Sequence, residues 1–163
     1  MVQRYLIALG SNAPHHRHGR PERVLAAALD ALREQGLAVT AASRIVRSAP
    51  VGPSRRRYAN AAALIETRLS PDRTLNMLKG IEAQFGRRSG GQQWTSRVID
   101  LDIVLWSGGA WAAPDLVVPH MAFRVRDFVL TPLIGIAAQW RDPLTRLTVR
   151  QLRAQLRKAK RQP

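Results

Sequence analysis

Apolar positions along the chain follow two alternating periods. Tyr5 to Leu9 is a continuous apolar run closed by the turn-forming trio Gly10-Ser11-Asn12, which predicts a buried strand. From Pro21, residues Val24, Leu25, Ala28, Leu29 and Leu32 recur at helical spacing until Gly36 stops the helix. Val39 to Val46 reads as a strand, followed by a loop through Ala49-Pro50-Val51-Gly52-Pro53 and Arg55-Arg56-Arg57. Tyr58 to Leu69 is a further strand. Ser70-Pro71 starts a helix, because a serine hydroxyl can cap and proline at the first helical position needs no donor. Leu75, Leu78, Ile81, Glu82 and Phe85 carry that helix to Gly86. A polar, glycine-rich loop from Arg87 to Arg97, interrupted by Trp94, leads into a strand from Val98 to Trp106. Gly108-Gly109 then predicts a hairpin-type turn, and Trp111 to Val118 a return strand. After Pro119-His120 comes the apolar run Phe128 to Ala138, and Val149, Leu152 and Leu156 give the C-terminus a helical stripe.

The resulting order, β-α-β-β-α-β with additions, predicts an α+β fold. The expected architecture is a two-layer ferredoxin-like sandwich with a βαββαβ core, an extra hairpin strand and a C-terminal helix. Neither an internal repeat nor a dividing linker is visible, so residues 1–163 are expected to form a single domain. The chain contains no cysteine, which excludes disulfides and thiolate metal sites. Its N-terminal apolar stretch is too short for a signal h-region and nothing approaches a membrane span, so a soluble, cytoplasmic protein is expected.

Charge complicates this picture. Lys and Arg number 26 against 11 acids, a net charge of +15. Such an excess suits a polyanionic partner, nucleic acid or nucleotide, although an arginine-rich composition can also carry it without specific function. The RNA-recognition aromatic motif is missing, and neither a Walker A loop nor a dinucleotide fingerprint is present. His15, His16 and His18 read as a solvated turn, with metal binding as the competing alternative.

The sharpest chemical signal is Val98-Ile99-Asp100-Leu101-Asp102-Ile103-Val104-Leu105. Strand alternation puts Ile99, Leu101, Ile103 and Leu105 on one apolar face and Asp100 and Asp102 together on the other. Two like charges so close need neutralising, and strands are depleted in aspartate. Neighbouring arginines can supply the neutralising charge. So can magnesium, which takes a few carboxylate oxygens plus substrate phosphates.

Four blocks of the chain occur together and in order: Ala8-Leu9-Gly10-Ser11-Asn12, Tyr58-Ala59-Asn60-Ala61-Ala62, Arg97 to Ile103, and Pro119-His120 followed by Arg126-Asp127-Phe128-Val129-Leu130. On these blocks the sequence resembles the 6-hydroxymethyl-7,8-dihydropterin pyrophosphokinase family of folate biosynthesis, from Ile7 to Leu133. The resemblance implies transfer of pyrophosphate from MgATP to a reduced pterin alcohol, with attack on the β-phosphorus and AMP leaving. It implies two Mg²⁺ ions on Asp100 and Asp102, with Arg87 and Arg97 among the catalytic residues. Glu82, Arg87, Trp94, Arg97, His120 and Arg126 would surround ATP. Ser48, Val51, Gly52, Tyr58, Asn60, Trp94 and Phe128 would hold the pterin, Asn60 at its amide-like edge and the Tyr58 and Phe128 rings on its faces. The implied enzyme is a monomer with no membrane or nucleic-acid partner.

The chain also departs from the family's pattern. Met121 follows the histidine in place of tyrosine or proline, and Ser54-Arg55-Arg56-Arg57 replaces a longer loop with a Gln-Pro pair. Ala13-Pro14, Ser89, Thr95-Ser96 and Gly135 are further differences. None of them removes a metal ligand. They leave open, at the level of sequence, a modified pterin in another C1-carrier pathway and a non-catalytic basic nucleic-acid-binding homologue.

Overall fold

The computed structural model describes residues 1–50, 56–86 and 98–162. Its elements run β1 (Gln3–Ser11), α1 (Pro21–Glu34), β2 (Ala38–Ala42), β3 (Val46–Ser48), β4 (Tyr58–Thr67), α2 (Pro71–Gln84), β5 (Asp100–Trp106), β6 (Trp111–Ala113), β7 (Leu116–Val118), α3 (Asp127–Ala137) and α4 (Val149–Arg161), with a 3-10 turn at Phe123–Val125. Strand β1 is the axis. It pairs antiparallel with β4 on one side and β5 on the other, while β2 and β3 pair with the far side of β4. The order is β2-β4-β1-β5, which leaves β5 at an edge.

One face of this sheet presents Tyr5, Ile7 and Leu9 of β1 and Leu101 and Ile103 of β5 to α1 and α2. There Val24, Leu25, Ala28, Leu32 and Leu78 are fully buried. Each large side chain removed from water in this way contributes roughly 1.5–3 kcal/mol. The opposite face is also covered: Leu6, Ala62 and Val104 pack against Phe123, Leu130 and Leu133, with Val149 and Leu152 of α4 closing the cluster. Helices therefore lie on both faces, so α3 and α4 add a third layer to the two that the order of elements predicted. Apolar positions in the segment 128–138 and along the C-terminal stripe explain this layer, since each stripe has to be buried against something.

Three expectations from alternation change. The apolar row Ile99, Leu101, Ile103, Leu105 is interrupted, because Ile7 pairs with Ile103 and Leu6 with Leu105, leaving Val104 as a bulge. Beyond it Leu105 crosses to the α3–α4 face. The strand expected over Val39–Val46 ends at Ala42. Ser43 then takes over the pairing with Ala62, its N–H donating to the carbonyl and its hydroxyl accepting the Ala62 N–H, each at 2.8 Å. The return strand over Trp111–Val118 is two three-residue strands that pair with each other around Pro114-Asp115. At the start of α2, Pro71 sits as expected, but the Ser70 hydroxyl donates to Asp72 at 2.5 Å and does not cap the helix backbone. No described helix is long and apolar enough to cross a membrane.

Candidate active site

Sheet register assembles the site. Gly10 of β1 pairs with Asp100 on one side and with Asn60 on the other, and Ala8 pairs with Asp102 and Ala62. Cross-strand partners share a face, so Asp100 and Asp102 stand on the same face as Asn60. Tyr58 and Ser48 continue that face, since Ser48 pairs with Tyr58 and Val46 with Asn60. It is the face that α3 covers farther along the sheet, and Phe128 lies in the first turn of α3.

Asn60 is 5% exposed and its orientation is fixed. Its Nδ2 donates to the Ser48 hydroxyl at 2.8 Å and to the Val46 carbonyl at 3.4 Å. Its Oδ1 turns toward Gly10, 3.6 Å from where a Cβ on that glycine would stand, and Tyr58 Cδ1 is 4.0 Å from the same point. Glycine thus keeps open the floor between the amide and the acids.

Beside the edge strand β5 lies a cavity of about 530 Å³, lined by Glu82, Asp102, His120 and Arg126 together with Leu75, Ile103, Val117 and Met121. The polypeptide reaches it through a cis Val118–Pro119 bond, after which the His120 N–H donates to the Val104 carbonyl at 3.0 Å. His120 Nδ1 accepts from the Ala122 N–H at 3.2 Å, which leaves the proton of the neutral ring on Nε2. Burial pushes the His120 pKa below its ordinary value, and Arg126 adds to that fall against the opposing charge of Asp102. That lowering favours the neutral ring. Arg126 also stands 5.8 Å over the Phe128 ring, joining the cavity to the first turn of α3. Glu82 is 6% exposed, and its Oε1 accepts the Leu101 N–H at 2.8 Å, so it also anchors the edge strand.

Asp100 and Asp102 offer hard oxygen donors on one side of an open edge. Among the described residues no group of three or more His, Asp or Glu forms a closed metal cage. A pair of carboxylates beside a cavity with room for phosphates fits magnesium, which keeps most of its ligands from water and phosphate. His15, His16 and His18 form no metal group. The His15 ring stacks on His18 at 4.7 Å and meets His16 at a tilt at 4.3 Å, and His15 and His18 lie against Phe85.

The expected site residues Val51, Gly52, Arg87, Trp94 and Arg97 lie outside the described residues, as do Arg55 and Ser89. Two charged cavity residues escaped the sequence reading, Lys79 and Asp115. Lys79 could have been found, because it precedes Glu82 by three positions and helical spacing puts both on one face. Asp115 depends on the β6–β7 turn, which the expected return strand concealed.

A family profile described as 7,8-dihydro-6-hydroxymethylpterin-pyrophosphokinase matches residues 6–138. The chain is 37% identical over 145 residues to the 2-amino-4-hydroxy-6-hydroxymethyldihydropteridine pyrophosphokinase of Pseudomonas aeruginosa, covering 88% of this chain and 86% of that protein. Similarity to the enzyme of the same name from Haemophilus influenzae is also 37%, over 85% of this chain and 83% of the relative. A folate synthesis bifunctional protein of Arabidopsis thaliana is 34% identical over 80% of the chain, which spans only 26% of that longer protein. Among solved structures, the wild-type HPPK-DHPS of Plasmodium falciparum superposes with a TM-score of 0.73 at 12% identity. That match covers 95% of this chain and 45% of the solved one, and it supports the fold alone.

Proposed function

This chain belongs to the 7,8-dihydro-6-hydroxymethylpterin-pyrophosphokinase family, and we propose that it transfers pyrophosphate from MgATP to 6-hydroxymethyl-7,8-dihydropterin in folate biosynthesis, releasing AMP. The observation that carries this reading is the single row Asp100–Gly10–Asn60 across the sheet. It sets an acidic pair and an oriented amide on one face, two strand spacings or roughly 10 Å apart. That is room for a flat bicyclic ring with its hydroxymethyl group directed at the acids.

In this reading Asn60 meets the amide-like edge of the pterin, with Ser48, Val51 and Gly52 beside it, and Tyr58 and Phe128 cover its faces. ATP occupies the cavity, its base against Leu75, Ile103 and Val117, and its phosphates toward Arg126, His120, Arg87 and Arg97. Trp94 covers the assembled substrates, and Glu82 borders the nucleotide. Asp100 and Asp102 hold two Mg²⁺ ions, whose chemistry is to neutralise the phosphate charge and lower the repulsion met by an attacking oxygen. The hydroxymethyl oxygen forms a bond to the β-phosphorus, the bond from that phosphorus to the α,β-bridging oxygen breaks, and AMP leaves with the electron pair. The hydroxyl proton passes to solvent. Positioning and charge carry such a reaction, and no protein nucleophile is needed. The neutral His120 suits it, since Nε2–H can donate to a phosphate oxygen without exchanging a proton.

We read the strand order as the ferredoxin-like arrangement and the chain as one pyrophosphokinase domain, a cytoplasmic monomer acting on two small substrates. The test is direct. Protein mixed with MgATP and 6-hydroxymethyl-7,8-dihydropterin should yield AMP and the pterin pyrophosphate in equal amounts by ³¹P NMR. No AMP with any reduced pterin alcohol would sink the assignment.

A further inference from the structure

Between His120 and Arg126 the chain makes the 3-10 turn Phe123–Val125, and its middle residue turns away from the cavity. The Arg124 guanidinium grips Asp142 with both prongs, Nε to Oδ2 at 2.6 Å and Nη2 to Oδ1 at 2.8 Å. Its Cζ also sits 4.8 Å over the Phe123 ring, which is fully buried. Asp142 has no exposed surface and accepts two further bonds, from the Leu144 N–H at 3.0 Å and the Thr145 hydroxyl at 2.7 Å. The turn that carries Asp142 is itself closed, with the Asp142 N–H on the Leu147 carbonyl and the Val149 N–H on the Trp140 carbonyl, both at 2.9 Å.

A second tie lies just beyond Arg126. Asp127, in the first turn of α3, accepts from Arg153 Nε of α4 at 3.3 Å and from the Thr131 hydroxyl at 3.3 Å. Arg126 is therefore flanked by two ion pairs, both made to the C-terminal segment and neither facing the cavity. The first of them, between Arg124 and Asp142, is fork-shaped and charge-assisted, which fixes direction as well as distance. A backbone held on both sides of Arg126 has little freedom to rotate that side chain out of the cavity.

We propose that the Arg124–Asp142 pair is a positioning device for nucleotide binding, holding the segment from His120 to Arg126 so that both side chains meet the phosphates. This rests on the MgATP reading above. The C-terminal segment thereby acts on the site from outside, without touching a substrate. It also explains the use of arginine at position 124: lysine would keep the charge but lose the second prong and the planar contact with Phe123.

The test pairs Arg124→Lys with Asp142→Asn, and uses Thr148→Ala, which only weakens the start of α4, as a control for lost stability. Binding of α,β-methylene ATP with magnesium is measured by calorimetry below each variant's unfolding temperature, alongside steady-state kinetics. The dissociation constant and the KM for MgATP should rise about tenfold in Arg124→Lys, with kcat changed less than threefold, while Thr148→Ala binds like wild type. Should Asp142→Asn fail to fold, Arg124→Lys decides alone. Nucleotide affinity within twofold of wild type in a folded Arg124→Lys would reduce the pair to a structural role and overturn the proposal. Failure of the wild type to bind the analogue would remove the MgATP reading and this proposal with it.

Discussion

Asp100 and Asn60 face each other across Gly10, one cross-strand partner on either side of it. The acid and the amide come from strands about forty residues apart in sequence, yet the register leaves between them only a residue without a side chain. The Gly10 backbone is in the ordinary extended range, so a larger residue would fold there and its bulk would decide the outcome. A Cβ would touch Asn60 at 3.6 Å and Tyr58 at 4.0 Å, and the methyls of a branched residue would enter the floor itself. Gly10→Val should therefore weaken pterin binding by at least tenfold while leaving affinity for the MgATP analogue within about threefold. Calorimetry with each ligand separately would check this, and equal losses for both would mean that Gly10 is not the boundary between two subsites.

The acidic pair invites a sharper substitution. Asp102→Asn keeps the size and one acceptor oxygen but removes the charge that a magnesium ion would need. Loss of an electrostatic group aimed at transferring phosphates costs roughly 3–4 kcal/mol, or a factor of 10²–10³ in turnover. AMP release should fall by at least that much at saturating substrates, with the far-UV spectrum unchanged. Retention of even a tenth of the wild-type rate would mean that the metal sits elsewhere.

Much of this arrangement could be read from the chain itself, for identifiable reasons. Pro21 and the Ser70-Pro71 pair mark the starts of α1 and α2, and strand alternation alone puts Asp100 and Asp102 on one face. What alternation cannot give is the pairing of strands, so the placement of Asn60 opposite Gly10 follows only from the β1–β4 register. The bulge at Val104 was hidden because Val104 and Leu105 are both apolar, and either face accepts both. Ser43 ended a strand through a hydroxyl that competes for the Ala62 amide, a choice that depends on its partner. Pro114-Asp115 did carry a turn signal, and the expectation of one return strand passed over it. Asp142 was the hardest to see, a lone acid before a stretch of arginines whose partner Arg124 lies 18 positions earlier.

Thr148 makes a complete capping box at the start of α4. Its hydroxyl accepts the Gln151 N–H at 3.1 Å, and the Gln151 Oε1 accepts the Thr148 N–H at 2.9 Å. Helix α4 contributes Val149 and Leu152 to the core and Arg153 to Asp127, so its first turn is where it is held. Loss of the cap in Thr148→Ala should cost about 1 kcal/mol. Urea unfolding would read this as a lower midpoint with the same slope, and turnover at 25 °C should remain at the wild-type level.

Asp142 gives the fold a specific sensitivity to acid. Burial by itself would raise its pKa, but the Arg124 fork, the Thr145 hydroxyl and the Leu144 amide outweigh that and hold it at about 2, against an ordinary value of 3.8. In the unfolded chain the carboxyl keeps its ordinary value, so at intermediate pH the unfolded state binds the extra proton. The stabilisation is therefore fully present above about pH 4 and disappears progressively as the pH falls toward 2. Its size follows from the shift, about 2 kcal/mol at neutral pH. Removing the charge leaves the half-buried Arg124 guanidinium without its partner, which destabilises the fold. Asp142→Asn should accordingly be less stable than wild type at pH 7, and the difference should narrow by about 2 kcal/mol by pH 2. Urea midpoints measured at half-unit steps from pH 7 to pH 2 would show the two curves converging, and parallel curves over that range would place the acid sensitivity on some other carboxylate.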